Sequence, residues 1–225
     1  ATAMLEVLAM IEGDGVARIP QDHAKATHAA MLTKADGAID FKVVTAPLAS
    51  PERANWRDLI PHREGIYVLD VELYAGHMVR LERANALPAI IIRDLKTGEE
   101  HAIAFDEAAY SLDTMGSYEF ETTNLRFSYS SMTTPSEVYD YDMAARTRVL
   151  RKRQEIPSGH NPADYVTTRI MAPSHDGALV PVSIHLDAGR LADRFGAVRL
   201  DRIGPVAAFA LTEPPMGRLQ LIAKR

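Results

Sequence analysis

Three residues late in the chain are of the types that a hydrolytic triad uses. Ser183, His185 and Asp187 stand two apart, and on a strand that spacing puts them on one face. Acyl transfer needs more, a base aimed at the nucleophile and held by a third group. The stretch is therefore expected to be a hairpin edge with polar residues along one side, and no catalytic residue is assigned. His23 and His28, with Asp22 beside the first, are five apart. On a helix that spacing does not put two ligands on one face, and the metalloprotease H-E-x-x-H pattern does not occur. No metal or cofactor is expected. Asp140 and Asp142 alternate with Tyr139 and Tyr141, which makes one face of a strand acidic and the other aromatic. Packed tyrosines and solvated carboxylates are the plain interpretation; the functional one is an acidic rim that attracts basic ligands. Trp56, the only tryptophan, is expected to anchor packing between sheets, with ligand stacking as the alternative. Asp140, Asp142 and Trp56 are thus the candidate site residues. Glu99-Glu100 reads as a solvated hairpin. Arg151-Lys152-Arg153 reads as a solvated strand end, although arginine can grip a carboxylate with two bonds across an interface.

Short strands must position these residues. Residues 1–30 are rich in Ala and Met and suggest helix, broken at Gly13-Asp14-Gly15 and Pro20. From about residue 39 the pattern turns to period two. Strands are expected over Phe41–Thr45, Ile66–Tyr74, Met78–Arg83, Ala89–Leu95 and His101–Phe105, then over Leu125–Ser131, Ser136–Asp142 and Arg148–Leu150. Met78–Arg83 alternates apolar and charged residues as a half-buried strand does. Asn85-Ala86-Leu87-Pro88 and Lys96-Thr97-Gly98-Glu99 read as turns. Strands at such spacing form an antiparallel meander, and four of them make about 40–45 residues, the size of a propeller blade. Residues 39–151 hold two to three such units, fewer than the roughly four that a closed propeller needs. Pro157-Ser158-Gly159-His160-Asn161-Pro162 is a linker by composition. A hairpin follows, Tyr165–Ala172 and Ala178–Ile184, with Asp176-Gly177 at its tip.

Composition narrows the function classes. The chain has 225 residues, 47% of them apolar and 24% charged, enough to bury a core without staples. It contains no cysteine, which removes disulfides, thiolate metal sites and cysteine nucleophiles and fits a reducing cytoplasm. A formal net charge of −5 argues against holding a phosphate backbone, so nucleic acid is not an expected partner. No stretch reaches the roughly 18 consecutive apolar residues of a membrane span. The first residues lack a basic region ahead of their apolar run, so no signal peptide is expected, and a first residue of alanine fits a processed or excised chain.

The central region resembles the prolyl oligopeptidase family of serine peptidases, most closely its oligopeptidase B branch. Ala35-Asp36-Gly37-Ala38-Ile39-Asp40-Phe41-Lys42-Val43-Val44 and Asn55-Trp56-Arg57-Asp58-Leu59-Ile60-Pro61-His62-Arg63 carry the likeness first. Phe127-Ser128-Tyr129-Ser130-Ser131-Met132-Thr133-Thr134-Pro135, Val138-Tyr139-Asp140-Tyr141-Asp142 and Asp164-Tyr165-Val166-Thr167-Thr168-Arg169 continue it. His175-Asp176-Gly177 and Val180-Pro181-Val182-Ser183 close it. The resemblance implies a mainly β fold: antiparallel meander blades of a partial seven-bladed β-propeller, followed by the first hairpin of an α/β-hydrolase domain. It implies a non-matching segment over 1–30, the partial propeller over 31–155, a hinge and first hairpin over 156–186, and a non-matching tail over 187–225. It also implies short peptides as substrates, cut after Arg or Lys, with the propeller as a size gate over the active site and Asp140, Asp142 and Trp56 as the substrate-gate candidates.

The family's nucleophile sits in a G-x-S-x-G elbow, and that motif is absent from this chain. The two ends are expected to be out-of-frame or fused sequence around an oligopeptidase fragment that supplies gate and hinge and is inactive alone. The alternative is a stand-alone propeller-like module that binds or self-associates through open blade edges.

Overall fold

The structure is a computed structural model that describes residues 16–18, 28–117 and 119–187. Among them the chain makes three four-stranded antiparallel meanders and one two-stranded hairpin. The first sheet holds β1 (Val16–Arg18), β2 (His28–Thr33), β3 (Lys42–Pro47) and β4 (Arg57–Ile60), in that order. The second holds β5 (Ile66–Leu73), β6 (His77–Ala84), β7 (Leu87–Asp94) and β8 (Glu100–Ala102). In the third, β9 (Tyr110–Thr114), β10 (Asn124–Ser131), β11 (Glu137–Asp142) and β12 (Thr147–Arg153) again lie in chain order. The hairpin pairs β13 (Tyr165–Pro173) with β14 (Leu179–Asp187). The mainly β, antiparallel class expected from the sequence is what the chain forms.

Two compact units divide these residues. One contains the first two sheets with 112–128 and 138–152; the other contains 105–111, 129–137 and the residues from 153 onward. In the first unit, Ala30, Leu32, Phe41, Val43 and Ile60 of the first sheet bury against Val68, Val71 and Met78 of the second. On the opposite face of the first sheet, Ala29, Met31, Val44 and Ala46 form another cluster, with Leu48 and Trp56 packed on it.

Several expectations need correction. Val16–Arg18 and His28–Ala30 are strand, not helix: Ala29, Ala30 and Met31 are buried, and burial in a sheet overrides the helix propensity of Ala and Met. The rest of the suggested N-terminal helix and the tail beyond residue 187 lie outside the described residues. Two further strands, β4 and β9, were not expected, because both are short and largely polar. The 85–88 turn is only Asn85 and Ala86, both at positive φ (49° and 62°), a two-residue hairpin loop. Leu87 and Pro88 belong to β7, and Pro88 pairs with Arg83. Since β8 pairs only with Ile91–Arg93, no ladder needs an N–H from Pro88 on that side.

Candidate functional site

β6 departs from the half-buried strand that its alternation suggests, for its first six residues are all buried. The register places Arg80 opposite Val71 and Met78 opposite Leu73, so Arg80 and Glu82 share the face that packs on the first sheet. A charged residue there must be paired. Arg80, fully buried, donates from Nη1 and Nη2 to the two carboxylate oxygens of Glu100 (2.9 and 2.8 Å) and from Nε to Glu82 (2.7 Å). Arg93 adds a bond to Glu100 (2.9 Å) and Arg63 one to Glu82. Hydrogen bonds from Arg80, helped by Arg93, overcome burial and hold the Glu100 carboxyl at about 2. Glu100 is therefore no solvated hairpin residue. Its neighbour Glu99 pairs with Arg146 (2.5 Å). On the other face of the second sheet His101 Nε2 lies 3.0 Å from Tyr141 Oη.

The gate candidates sit as follows. Asp140 accepts from Arg126 Nε and Nη2 (2.6 and 2.9 Å) and from Arg151 Nε (2.7 Å). The Arg126 bonds chiefly, with Arg151, hold its carboxyl below the ordinary range. The one negative charge of Asp140 thus faces two guanidinium groups. Asp142 Oδ1 accepts from the amides of Ala144 and Ala145 (2.9 and 2.8 Å) and shapes the β11–β12 turn. Trp56 donates from Nε1 to Pro51 O (2.9 Å) and packs on the Ala29–Met31–Val44–Ala46 cluster. Arg153, third of the basic run, binds Glu137 (2.6 Å). Asp140 and Asp142 lie on β11 of the third sheet, and Trp56 directly precedes β4 of the first.

In the second unit the connection after β12 meets the corner between β10 and β11. Glu107 organises that corner: it accepts from Tyr129 Oη (2.7 Å), Thr133 Oγ1 (2.6 Å) and Thr134 Oγ1 (2.5 Å). Burial pushes the Glu107 carboxyl up, but the hydroxyls of Ser131, Thr133, Thr134 and Tyr129 outweigh it and leave it below its ordinary value. Phe105 stacks on Tyr129 (5.0 Å), and Tyr110 lies against both rings (5.0 and 5.6 Å). His160 Nε2 reaches Thr133 O (2.5 Å). Its ring stacks on Tyr165, which stacks on His185 (5.4 and 5.0 Å).

Ser183 and His185 lie on β14, and the bond described for the His185 ring is not to Ser183. His185 Nδ1 is 3.3 Å from Thr167 Oγ1, on the paired strand. Among the described residues no group of three or more His, Asp or Glu side chains could hold a metal ion. His28 opens β2 opposite Pro47; Asp22 and His23 lie outside the described residues. Arg80, Glu82, Glu107 and His160 were not singled out from the sequence, and Glu100 was read only as part of a solvated hairpin. The signal for Arg80, Glu82 and Glu100 was opposite charges on strands of one meander.

Successive antiparallel meanders of four strands are the construction of a β-propeller domain. Residues 2–154 match the family described as prolyl oligopeptidase, N-terminal beta-propeller domain. The chain belongs to the prolyl oligopeptidase family of serine peptidases, and what it carries of that family is the propeller domain. It is 41% identical over 154 residues to dipeptidyl aminopeptidase BI of Pseudoxanthomonas mexicana, which covers 68% of this chain and 21% of that protein. An uncharacterized peptidase of Sinorhizobium fredii, y4qF, is 29% identical over 153 residues, 64% of this chain and 20% of its own. Among solved structures, oligopeptidase B from Trypanosoma brucei with covalently bound antipain, closed form, matches at a TM-score of 0.69 and 25% identity, covering 78% of this chain and 25% of that one. Oligopeptidase B from Leishmania major shares the fold at a TM-score of 0.68 and 22% identity, with the same coverage. The chain thus spans about a fifth of the length of the curated relatives. The family match begins at residue 2, so residues 2–30, set apart as non-matching from sequence, fall within it.

Proposed function

We propose that this chain is the propeller part of a serine peptidase that hydrolyses short peptides, with the propeller limiting access by size, and that alone it does not cleave peptides. The observation that carries this is the run of three four-stranded meanders inside a 153-residue match to the propeller domain. The hairpin β13–β14 is then the start of the hydrolase domain, and residues 156–163 are a hinge. Two specificities have support. The likeness to oligopeptidase B favours cleavage after Arg or Lys, and the 41% identity to a dipeptidyl aminopeptidase favours release of dipeptides from a free N-terminus. Of the acidic gate candidates, Asp142 is the better placed to act on a basic peptide, since Asp140 is matched by two arginines. The cysteine-free sequence favours a reducing, cytoplasmic setting. No helix among the described residues is long and apolar enough to cross a membrane.

A second interpretation, self-association, is favoured by β12. This strand is outermost in its sheet, and all seven of its residues are exposed, which leaves an edge open to pairing.

The test is to assay the purified chain on fluorogenic substrates of two kinds, blocked with arginine at the cleavage position and free-amine dipeptidyl. Residues 28–154 are then exchanged into the dipeptidyl aminopeptidase relative, and cleavage is compared over peptides of increasing length. No turnover by the chain, and a length cut-off retained in the chimaera, are expected. Turnover by the chain alone, or a folded chimaera that cleaves long and short peptides alike, would overturn the proposal. Sedimentation of the chain decides the second interpretation, which a monomer refutes.

A further inference from the structure

The connection between β12 and β13 is a linker by composition, yet it is built of two closed turns. Gly159, at φ 79°, donates its amide to Ile156 O (2.9 Å). Asn161 Oδ1 then accepts from Ala163 N (3.2 Å), its Nδ2 donates to Asp164 Oδ1 (3.0 Å), and Asp164 N donates to Asn161 O (3.1 Å). One residue, His160, separates the turns. Its Nε2 bonds Thr133 O, and because a carbonyl oxygen only accepts, that nitrogen must carry the proton. The other side of the corner is tied at the start of the connection, where Gln154 N donates to Ser136 O (2.8 Å) and Arg153 binds the buried Glu137.

The corner is itself rigid. Ser131 Oγ accepts from the amides of Thr133 and Thr134 (2.9 and 2.7 Å), Ser131 N donates to Thr134 O (3.0 Å), and Glu107 holds the two threonine hydroxyls. Beyond Gln154 the connection thus meets a hydrogen-bonded corner through one exposed side chain, His160.

We propose that His160 is the pin of a latch that fastens this connection to the β10–β11 corner, and that Glu107 is the positioning residue that holds the receiving carbonyl. With the pin in place the connection and the Tyr165 end of the hairpin move with the corner. With the pin out, the hydrogen bonds that remain to the segment from Glu155 to Asp164 among the described residues are those of its own turns. The mechanical importance of the latch rests on residues 156–163 being the hinge of the peptidase.

Hydrogen exchange on the whole chain tests this without any substrate, so failure of the latch is separate from failure of the peptidase reading, which shows in the peptide assay. In His160→Ala the amides of Gly159, Asp164 and Tyr165 are expected to exchange about five-fold faster, the change that loss of one hydrogen bond produces. Val79 in β6 and Gly177 in the hairpin tip should keep wild-type rates. His160→Gln retains an N–H donor and should fall between the two. Tyr165→Leu removes the stacking partner and should raise the same three amides by a smaller factor. Wild-type rates at Gly159, Asp164 and Tyr165 in His160→Ala would overturn the proposal. So would a rise shared equally by Val79, which would mark a general loss of stability.

Discussion

Replacing Glu100 by glutamine probes the buried ion network without changing its shape. Arg80 is fully buried and uses both terminal nitrogens on Glu100. In Glu100→Gln it keeps one carboxylate, Glu82, which Arg63 shares. The depression of Glu100 from 4.5 to about 2 corresponds to about 3.4 kcal/mol of preference for the ionised form in the folded state. The Glu100 side chain is 31% exposed, and solvent screening reduces that to about 2–3 kcal/mol. Breaking a buried pair by removing one partner costs about 3–5 kcal/mol, but the glutamine oxygen still accepts one bond, so the loss belongs near 3 kcal/mol. Urea unfolding followed by circular dichroism measures it. Because the folded-state value lies below the unfolded one, the stabilisation is complete above about pH 4.5 and is lost as pH falls toward 2. The gap between wild type and variant must therefore narrow over that window. Arg80→Met combined with Glu100→Gln should cost less than the two single changes added, since neither charge is then stranded. A gap below about 1 kcal/mol at neutral pH, or one that persists unchanged to about pH 2.5, would refute the assignment.

Tyr129→Phe removes one of the hydroxyls on Glu107 and should cost about 1.5–2 kcal/mol near pH 7, as a hydrogen bond to a charged group does. The Glu107 carboxyl titrates below its ordinary value, so this cost should shrink as pH falls below about 4.5, and a pH-independent cost in urea titrations would count against it. Ala86→Gly should stabilise the protein by about 0.5–1 kcal/mol, because alanine at φ 62° pays for a left-handed conformation that glycine adopts freely. A lower melting temperature in calorimetry would contradict that.

The sequence made the meanders legible where period-two alternation was strong, as in β5, β6, β7, β10 and β11. It concealed β2, because Ala29, Ala30 and Met31 are helix formers that only a neighbouring sheet turns into strand. It concealed β4 and β9, because Arg57-Asp58 and Ser111-Asp113 give a short outer strand the polarity of a loop. The instructive case is Met78-Val79-Arg80-Leu81-Glu82-Arg83. Alternation correctly gave a strand, and the inference that its charged face meets water was the error. That face packs on another sheet, so Arg80 and Glu82 had to find partners inside. Nothing in local periodicity reports whether a second sheet covers a polar face. The presence of Glu100 and Arg93 on neighbouring strands of the same meander was the available hint. Of the candidates read from residue type, Asp140 and Trp56 were seen, but their partners Arg126, Arg151 and Pro51 come from register and loop geometry.

The contacts in the two units differ in kind, and the difference bears on which joints can open. The first and second sheets meet through Ala30, Leu32, Val43, Val71 and Met78 with a buried ion network among them. Separating such a seam exposes apolar surface and strands charges, so it is costly and cooperative. The connection after β12 meets its corner through one amide, one ion pair and one imidazole, with ring stacking along His160, Tyr165 and His185. Water can replace the amide and imidazole bonds at a net cost of about 1 kcal/mol each, while the ion pair to buried Glu137 holds only the start of the connection. Thermal fluctuations that leave the sheets closed can therefore release the connection. Local opening should accordingly appear in exchange at Gly159 and Asp164 well before it appears at Val79, as expected where exposed hydrogen bonds and few apolar contacts set the local stability.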